Sequence, residues 1–244
     1  MRIKQIMKLI ALLSGGALLA ACDNDSPPLT NAPPPPPPPP ASFSVSVTNL
    51  TNAQPLSPVA VIAHQPGYSM FSIGSAGTVG LETMAEGGDN SALIAEADAD
   101  SSVTSTASGA APIGPAGSET ITVSVPANLR TALRMSVATM LVNTNDAFTA
   151  LNAWPVGEMS VGDVMTVNAI AYDAGTEADS ESAATIPGPA GGGEGFNAVR
   201  DDGADQVTMH SGVISGDDGL ATSDLTEQHR FDNPVARIRI ERTN

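Results

Sequence analysis

The sequence is poor in residue types on which several protein classes depend. It has one cysteine, Cys22, in 244 residues, so it has no disulfide framework and the fold must be held by its core. Aromatic residues are scarce, which leaves Val, Ile, Leu, Met and Ala to build that core. The three histidines, His64, His210 and His229, form no closely spaced pair of the kind typical of zinc sites, which favours packing or hydrogen-bonding roles.

Basic residues are also few. Of the 10 basic residues, three lie at the start: Arg2, Lys4 and Lys8. The other 7 are all arginine, and they stand against 26 acidic residues, which gives a net charge of about −19 after residue 21. This acidic excess argues against nucleic acid or an anionic lipid surface as a partner, while it supplies carboxylates for hard cations.

The N-terminus has the pattern of a bacterial lipoprotein. After the basic start, the apolar stretch from Ile10 through Ala21 is too short to span a bilayer of about 30 Å. It ends in Leu-Ala-Ala-Cys, which resembles a lipobox. We therefore expect residues 1–21 to be a signal peptide and Cys22 to be the lipid-anchored first residue of a cell-envelope protein. Asp23 resembles the enterobacterial retention signal and favours the periplasmic face of the inner membrane over the outer membrane or cell surface.

Residues 22–42 are predicted to be a spacer between the lipid and a folded domain at residues 43–244. Their eight consecutive prolines, Pro33–Pro40, favour an extended polyproline II rod of roughly 3 Å per residue. Next to a lipid anchor, the role of a spacer is favoured over that of a recognition ligand.

Strand patterns dominate the domain. Alternation of apolar and polar residues with a period of two predicts strands at Phe43–Thr48, Thr120–Val125 and Ala236–Arg242. Central strands are predicted at three more continuously apolar segments, Val59–Ala63, Leu133–Val142 and Val164–Tyr172. A shorter strand is predicted at Val207–Met209. Short helices are predicted within Leu81–Glu86 and Ser91–Ala97, and mobile loops at Asp98–Gly117 and Pro187–Gly195. The expected fold is an all-β, antiparallel β-sandwich with long loops and one or two short helices.

Six short motifs, taken in order, carry a family resemblance. They are Val47–Val59 with His64, Gly80–Gly88, Met140–Phe148, Ala171–Glu177, His210–Gly212 and Phe231–Ile238. This ordered set, above all Asn-Asp-Ala-Phe followed by Tyr-Asp-Ala-Gly-Thr-Glu, resembles the bacterial branch of the spondin domain over residues 43–242. Spondin domains of the F-spondin and mindin type are C2-like β-sandwiches that bind a divalent cation, with calcium the expected ion, and act in adhesion and recognition.

The resemblance implies a set of metal ligands. Two family aspartates map onto Asp146 and Asp173, and Glu119 is the candidate for a third ligand, a glutamate on an earlier strand. The residues alone leave two roles open for the aspartates. Both follow apolar strands, as calcium ligands at the edge of a sandwich would, but aspartates in turns also commonly bond their own backbone.

The function expected from the sequence is a lipid-anchored, non-catalytic, calcium-binding recognition or adhesion module. Its ligand, an unknown protein or glycan, is not indicated by any motif. The sequence of the domain has no motif typical of an enzyme: no Gly-x-Ser-x-Gly nucleophile elbow, no clustered histidines and no cofactor fingerprint. The alternatives are a metal-dependent envelope hydrolase and a purely structural envelope protein.

Overall fold

The computed structural model describes residues 34–200 and 202–244. The predicted signal peptide, Cys22 and Asp23 lie outside the described residues, as do Pro33 and Asp201. The chain divides at Pro37, and Pro38–Asn244 form one compact unit. Residues 34–40 are exposed and lie in neither helix nor strand.

Two antiparallel sheets make up the domain. One has the strand order β4 (Ser118–Val125), β1 (Ala41–Asn49), β10 (Ala236–Arg242) and β7 (Val164–Ala169). The other has the order β3 (Val103–Ser108), β2 (Ala60–His64), β5 (Arg134–Met140), β6 (Ala147–Pro155), β8 (Ala171–Asp173) and β9 (Thr208–Met209). Single turns of 3-10 helix occur at Ala127–Leu129, Gly216–Asp218 and Glu227–His229.

The main core lies between the two sheets. On β1 every second side chain is buried, and Phe43, Val45 and Val47 face this core. On the paired strand β10, Ile238 and Ile240 do the same. Burial of each such side chain stabilises the fold by about 1.5–3 kcal/mol, so the alternation fixes which face of each strand points inward.

The six-stranded sheet is buried on both faces. Along β2, Val61 belongs to the core between the sheets, whereas Ile62 belongs to a second cluster with the helices α1 (Val79–Gly87) and α2 (Ser91–Ala99). Helix α1 begins where the Thr78 side chain accepts a hydrogen bond from the Leu81 amide, and it ends at Gly88, which has a φ of 73°. Among the described residues, no helix has the length and apolarity needed to cross a bilayer.

The predicted β-sandwich with two short helices is confirmed, but two segments were wrongly predicted. Val164–Tyr172 is not one central strand, because the chain crosses at Ile170 from the edge strand β7 to β8 of the other sheet. Asp98–Gly117 is not a loop throughout, since it contains the edge strand β3. β3 is rich in Ser and Thr, and each of its residues is at least partly exposed. Its sequence therefore shows no alternation of apolar and polar residues from which a strand could be predicted.

The hairpin of β5 and β6 defines one end of the sandwich. Its connection, residues 141–146, lies next to the end of β1, because Gln54 bonds Asn143 and the Asn49 side chain bonds the Gln54 carbonyl. The start of β1 lies at the opposite end, where the Asn244 side chain donates to the Pro40 carbonyl. Nine residues of strand separate the two ends by about 26 Å.

Candidate metal centre

The β5–β6 connection is a run of buried polar side chains. Asn143, Thr144, Asn145 and Asp146 are each at most 3% exposed. Thr144 closes the turn, since its hydroxyl donates to the Leu141 carbonyl and accepts from the Ala147 amide. Because such side chains must find partners inside the protein, they hold the loop in one conformation.

Asp146 is the fully buried carboxylate of this end. Its Oδ2 accepts hydrogen bonds from the Thr176 amide at 2.9 Å, the Glu177 amide at 3.1 Å and the Thr176 hydroxyl at 3.3 Å. Its Oδ1 is buried and has no hydrogen-bond partner in the part of the chain that the structure describes. Burial, together with the negative charges of Asp173 and Asp179, raises the pKa of Asp146 to about 8. One oxygen is therefore held by the protein, and the other is left without a partner among the described residues.

Asp173 and Asp179 bring two further carboxylates to this place. Asp173 is the last residue of β8 and lies opposite Ala147 in the ladder with β6, which sets it beside Asp146. Its Oδ1 accepts from the Gly175 amide at 2.7 Å. Burial and the charge of Asp179 raise the pKa of Asp173. The side chain of Asp179 is 33% exposed, which leaves the cluster open to solvent on that side.

His210, directly after β9, completes a group that could hold a metal ion. One ligand atom from each of Asp173, Asp179 and His210 lies within 4.8 Å of the others. The imidazole is buried, with Nε2 3.5 Å from Asp179 Oδ1 and Nδ1 accepting from the Gly212 amide at 2.9 Å. Burial lowers the pKa of His210, but the 3.5 Å contact with Asp179 and the charges of Asp179, Asp173 and Asp146 outweigh it and raise that pKa overall.

Comparison with known proteins identifies the family. The sequence model of the Spondin_N family matches residues 48–187, which is more than half of the chain. The chain belongs to the Spondin_N family. No curated protein matches it. Spondin_N is not a known enzyme family, and membership supports an extracellular-type recognition or adhesion module.

Within the Spondin_N match, Glu181 adds a fourth carboxylate near the cluster. It is 1% exposed, its amide donates to Asn145 Oδ1, and its Oε1 accepts from the Ile214 amide. Burial, with the charges of Asp179 and Asp146, raises the pKa of Glu181 to about 7. Four carboxylates and one histidine thus share this end of the spondin domain, an excess of negative charge that favours a bound cation.

A separate ion pair lies on the same loops. Glu177 is buried and pairs with Arg200, which also contacts Glu194 at 3.2 Å. The other oxygen of Glu177 accepts from Asn145 Nδ2. Because the charge of Glu177 is compensated by an arginine, Glu177 is not counted with the four carboxylates Asp146, Asp173, Asp179 and Glu181.

The structure brings together some of the residues singled out in the sequence. Asp146 and Asp173 are neighbours, and this supports the pairing implied by the resemblance. Glu119 is not brought to them: it lies on β4 of the other sheet, where its Oε1 accepts from the Ala110 amide. Cys22, the predicted lipidation site, lies outside the described residues.

Sequence reasoning missed three members of the cluster. Asp179 and Glu181 lie in irregular chain after β8, and His210 was assigned a packing or hydrogen-bonding role. The one available signal for His210 was its place in the His-Ser-Gly motif of the spondin resemblance. His64 and His229 do have hydrogen-bonding roles, with Ser136 and with the Thr226 amide respectively.

Proposed function

We propose that this spondin-domain protein is a non-catalytic, calcium-binding recognition or adhesion module of the bacterial cell envelope. The observation that carries the proposal is the buried, unpartnered Oδ1 of Asp146 beside the carboxylates of Asp173 and Asp179. An unpaired buried charge is costly, and a divalent cation among these oxygens removes that cost.

Calcium fits the donor set better than a softer metal. Calcium takes six to eight oxygen ligands, from carboxylates, carbonyls and water, in flexible geometry. Asp146, Asp173 and Asp179 would hold it. The partly exposed side of Asp179 leaves room for water in the remaining positions. The bound ion would neutralise the carboxylates and tie the β5–β6 connection to the chain that follows β8.

Recognition is proposed to take place on the loops around this cluster. They are carried by a sandwich whose core is buried on both sides of the six-stranded sheet, and loops on such rigid scaffolds commonly bind partners. The partner is proposed to be a protein or a glycan. The acidic composition makes nucleic acid an unsuitable ligand.

We further propose that Cys22 anchors the protein to the membrane through lipid, with the proline-rich segment as a spacer. The support comes from the basic start, the short apolar stretch and Leu-Ala-Ala-Cys. Asp23 favours the periplasmic face of the inner membrane as the location.

The test is a calcium titration followed by binding screens. Thermal unfolding is measured in calcium and in chelator for the wild type, Asp146→Asn, Asp173→Asn and the control Asp98→Asn on α2. Calcium at a hundredfold excess over Kd should stabilise the wild type and the control by about 2.7 kcal/mol, and the two site variants much less. Equal melting curves in calcium and chelator would refute a calcium site.

Glycan and protein arrays, probed with calcium and with chelator, then test recognition. Calcium-dependent binding that Asp146→Asn abolishes is the expected result. Turnover of ester or peptidoglycan substrates that a single substitution removes would instead establish the metal-dependent hydrolase. No binding to any surface, with calcium-dependent folding intact, would favour a purely structural role.

A further inference from the structure

We propose that His210 does not ligate the cation but turns a protonated Nε2 towards Asp179, so that the site is built from oxygen ligands alone. The inference rests on the proposed function, because it concerns the cation bound by Asp146, Asp173 and Asp179. It also sets the class of ligand: a hard divalent ion such as calcium, and not zinc.

The hydrogen bond on the far side of the imidazole decides which nitrogen carries the proton. The Gly212 amide donates to His210 Nδ1 at 2.9 Å, so Nδ1 must present a lone pair. In the neutral ring the proton then lies on Nε2. Nε2 is the atom that faces the cluster, 3.5 Å from Asp179 Oδ1. A ring nitrogen that carries a proton has no lone pair to give a metal.

This arrangement is the reverse of a metal-bound histidine. A ligating histidine almost always donates its second ring N–H to a carboxylate, a carbonyl or water, which fixes the tautomer that leaves the other nitrogen free for the metal. At His210 the second nitrogen receives an N–H from Gly212 and cannot donate one. The N–H that remains faces Asp179 Oδ1 at 3.5 Å, and Nε2 has no closer hydrogen-bond partner among the described residues.

The surroundings of the ring oppose a change of tautomer or a ring flip. Moving the proton to Nδ1 would set two N–H groups against each other. The side chain of His210 is 0% exposed, and its ring packs against Phe231 with centroids 5.4 Å apart. Gly212 has a φ of 93°, a conformation that favours glycine, and a Cβ there would lie 3.2 Å from the Phe231 carbonyl oxygen.

The consequence is metal selectivity. Zinc in proteins is bound mainly by cysteine sulfur and histidine nitrogen, whereas calcium takes oxygen. With the imidazole nitrogen withdrawn from coordination, the cluster offers carboxylate and water oxygens only. Asp179, whose side chain is 33% exposed, is the carboxylate that this N–H faces.

The first test reads the proton directly. Long-range proton–nitrogen NMR spectra of the histidines are recorded on the full-length chain carrying Cys22→Ser, in chelator, in calcium and in zinc. His210→Gln identifies the signals of His210. The expected result is a protonated Nε2 and an unprotonated Nδ1 in all three conditions. A proton on Nδ1, or a zinc-induced shift of Nε2, would overturn the proposal.

The second test uses affinity. His210→Gln keeps an N–H donor directed at Asp179, whereas His210→Ala removes it. Calcium affinity should be retained in His210→Gln and fall roughly tenfold or more in His210→Ala, and any zinc affinity should follow the same pattern because the same aspartates would hold the ion. Equal loss of zinc affinity in the two variants would show that His210 is a ligand. If neither ion binds the wild type, the proposed function fails, but the spectrum in chelator still supports or refutes the assigned hydrogen bonds of His210.

Discussion

Replacing Asp146 by asparagine separates two effects of this carboxylate on stability. Without a cation its burial destabilises the fold, and in the proposed calcium-bound form it is a ligand. The asparagine carbonyl can accept the hydrogen bonds that the Thr176 and Glu177 amides now donate to Oδ2. Its NH₂ then takes the position of the unpartnered oxygen, beside the carboxylates of Asp173 and Asp179. The substitution removes the titratable group while keeping the loop's hydrogen bonds.

The size of the effect in chelator follows from the pKa of Asp146, which burial and the neighbouring carboxylates raise from its usual value of 3.8 to about 8, so that the buried group is mostly protonated at pH 7. At pH 7, roughly three pH units above the unfolded value, keeping this group in the fold costs about 4 kcal/mol. Asp146→Asn removes that cost. In chelator the variant should therefore be more stable than the wild type, by up to about 4 kcal/mol, or roughly 10 °C in Tm for a domain of this size.

Calcium should act in the opposite sense. At a hundredfold excess over Kd it adds about 2.7 kcal/mol to the wild type and little to Asp146→Asn. Urea unfolding at pH 7, with and without calcium, measures both effects. Asp98→Asn, the same substitution on the exposed face of α2, should respond to calcium as the wild type does. A variant less stable than the wild type in chelator, or one with an undiminished calcium response, would contradict this account of Asp146.

Three other predictions follow from single features. In chelator the free energy of unfolding should fall as the pH rises from 3.8 to about 8, because the raised pKa of Asp146 makes the folded state bind its proton more tightly than the unfolded state does. Calcium should flatten this profile. A free energy of unfolding that rises over the same range would contradict the raised pKa of Asp146. Cys22→Ser should abolish fatty-acid labelling and membrane association in fractionated cells, and labelling that survives would place the anchor elsewhere. Gly175→Ala should lower the free energy of unfolding by more than about 1 kcal/mol, because φ is 75° and the new Cβ would lie 2.3 Å from the Gln206 carbonyl oxygen. Gly192→Ala, with a similar φ and no neighbour within 4 Å, should lower it less. Equal losses of stability in urea unfolding would refute the steric argument.

The sequence predicted the strands that alternate and the more continuously apolar β2 and β5, and it missed strands with neither pattern. β1 and β10 have one face in the core and one facing out, so their period of two is visible. β6 was not predicted, because its first five residues are buried on both faces and include Thr149 among apolar side chains. A doubly covered strand can be recognised only as a largely apolar run, as in β2 and β5. The polar edge strand β3 and the interrupted run of β6 show neither an apolar run nor alternation.

Of the candidate metal cluster, the sequence identified Asp146 and Asp173, through the family resemblance and their place at strand ends. Asp146 and Asp173 flank strands that pair, and the register of Ala147 with Asp173 sets them side by side. Asp179 and His210 reach the cluster through irregular chain, whose path depends on tertiary contacts such as the Gly212 amide on His210. No spacing rule connects residues brought together in that way.

The direction of β1 links the cluster to the proposed anchor. The chain enters the domain at Pro40, whose carbonyl is bonded by the Asn244 side chain, so both ends of the domain lie at one end of the sandwich. β1 then runs about 26 Å to Asn49, at the end where Gln54 holds the loop that carries Asp146. A domain tethered through its N-terminus therefore has its carboxylates at the end remote from the point of attachment. An acidic end placed against an anionic bilayer would be repelled, whereas at the remote end the same charges can bind calcium and meet a partner.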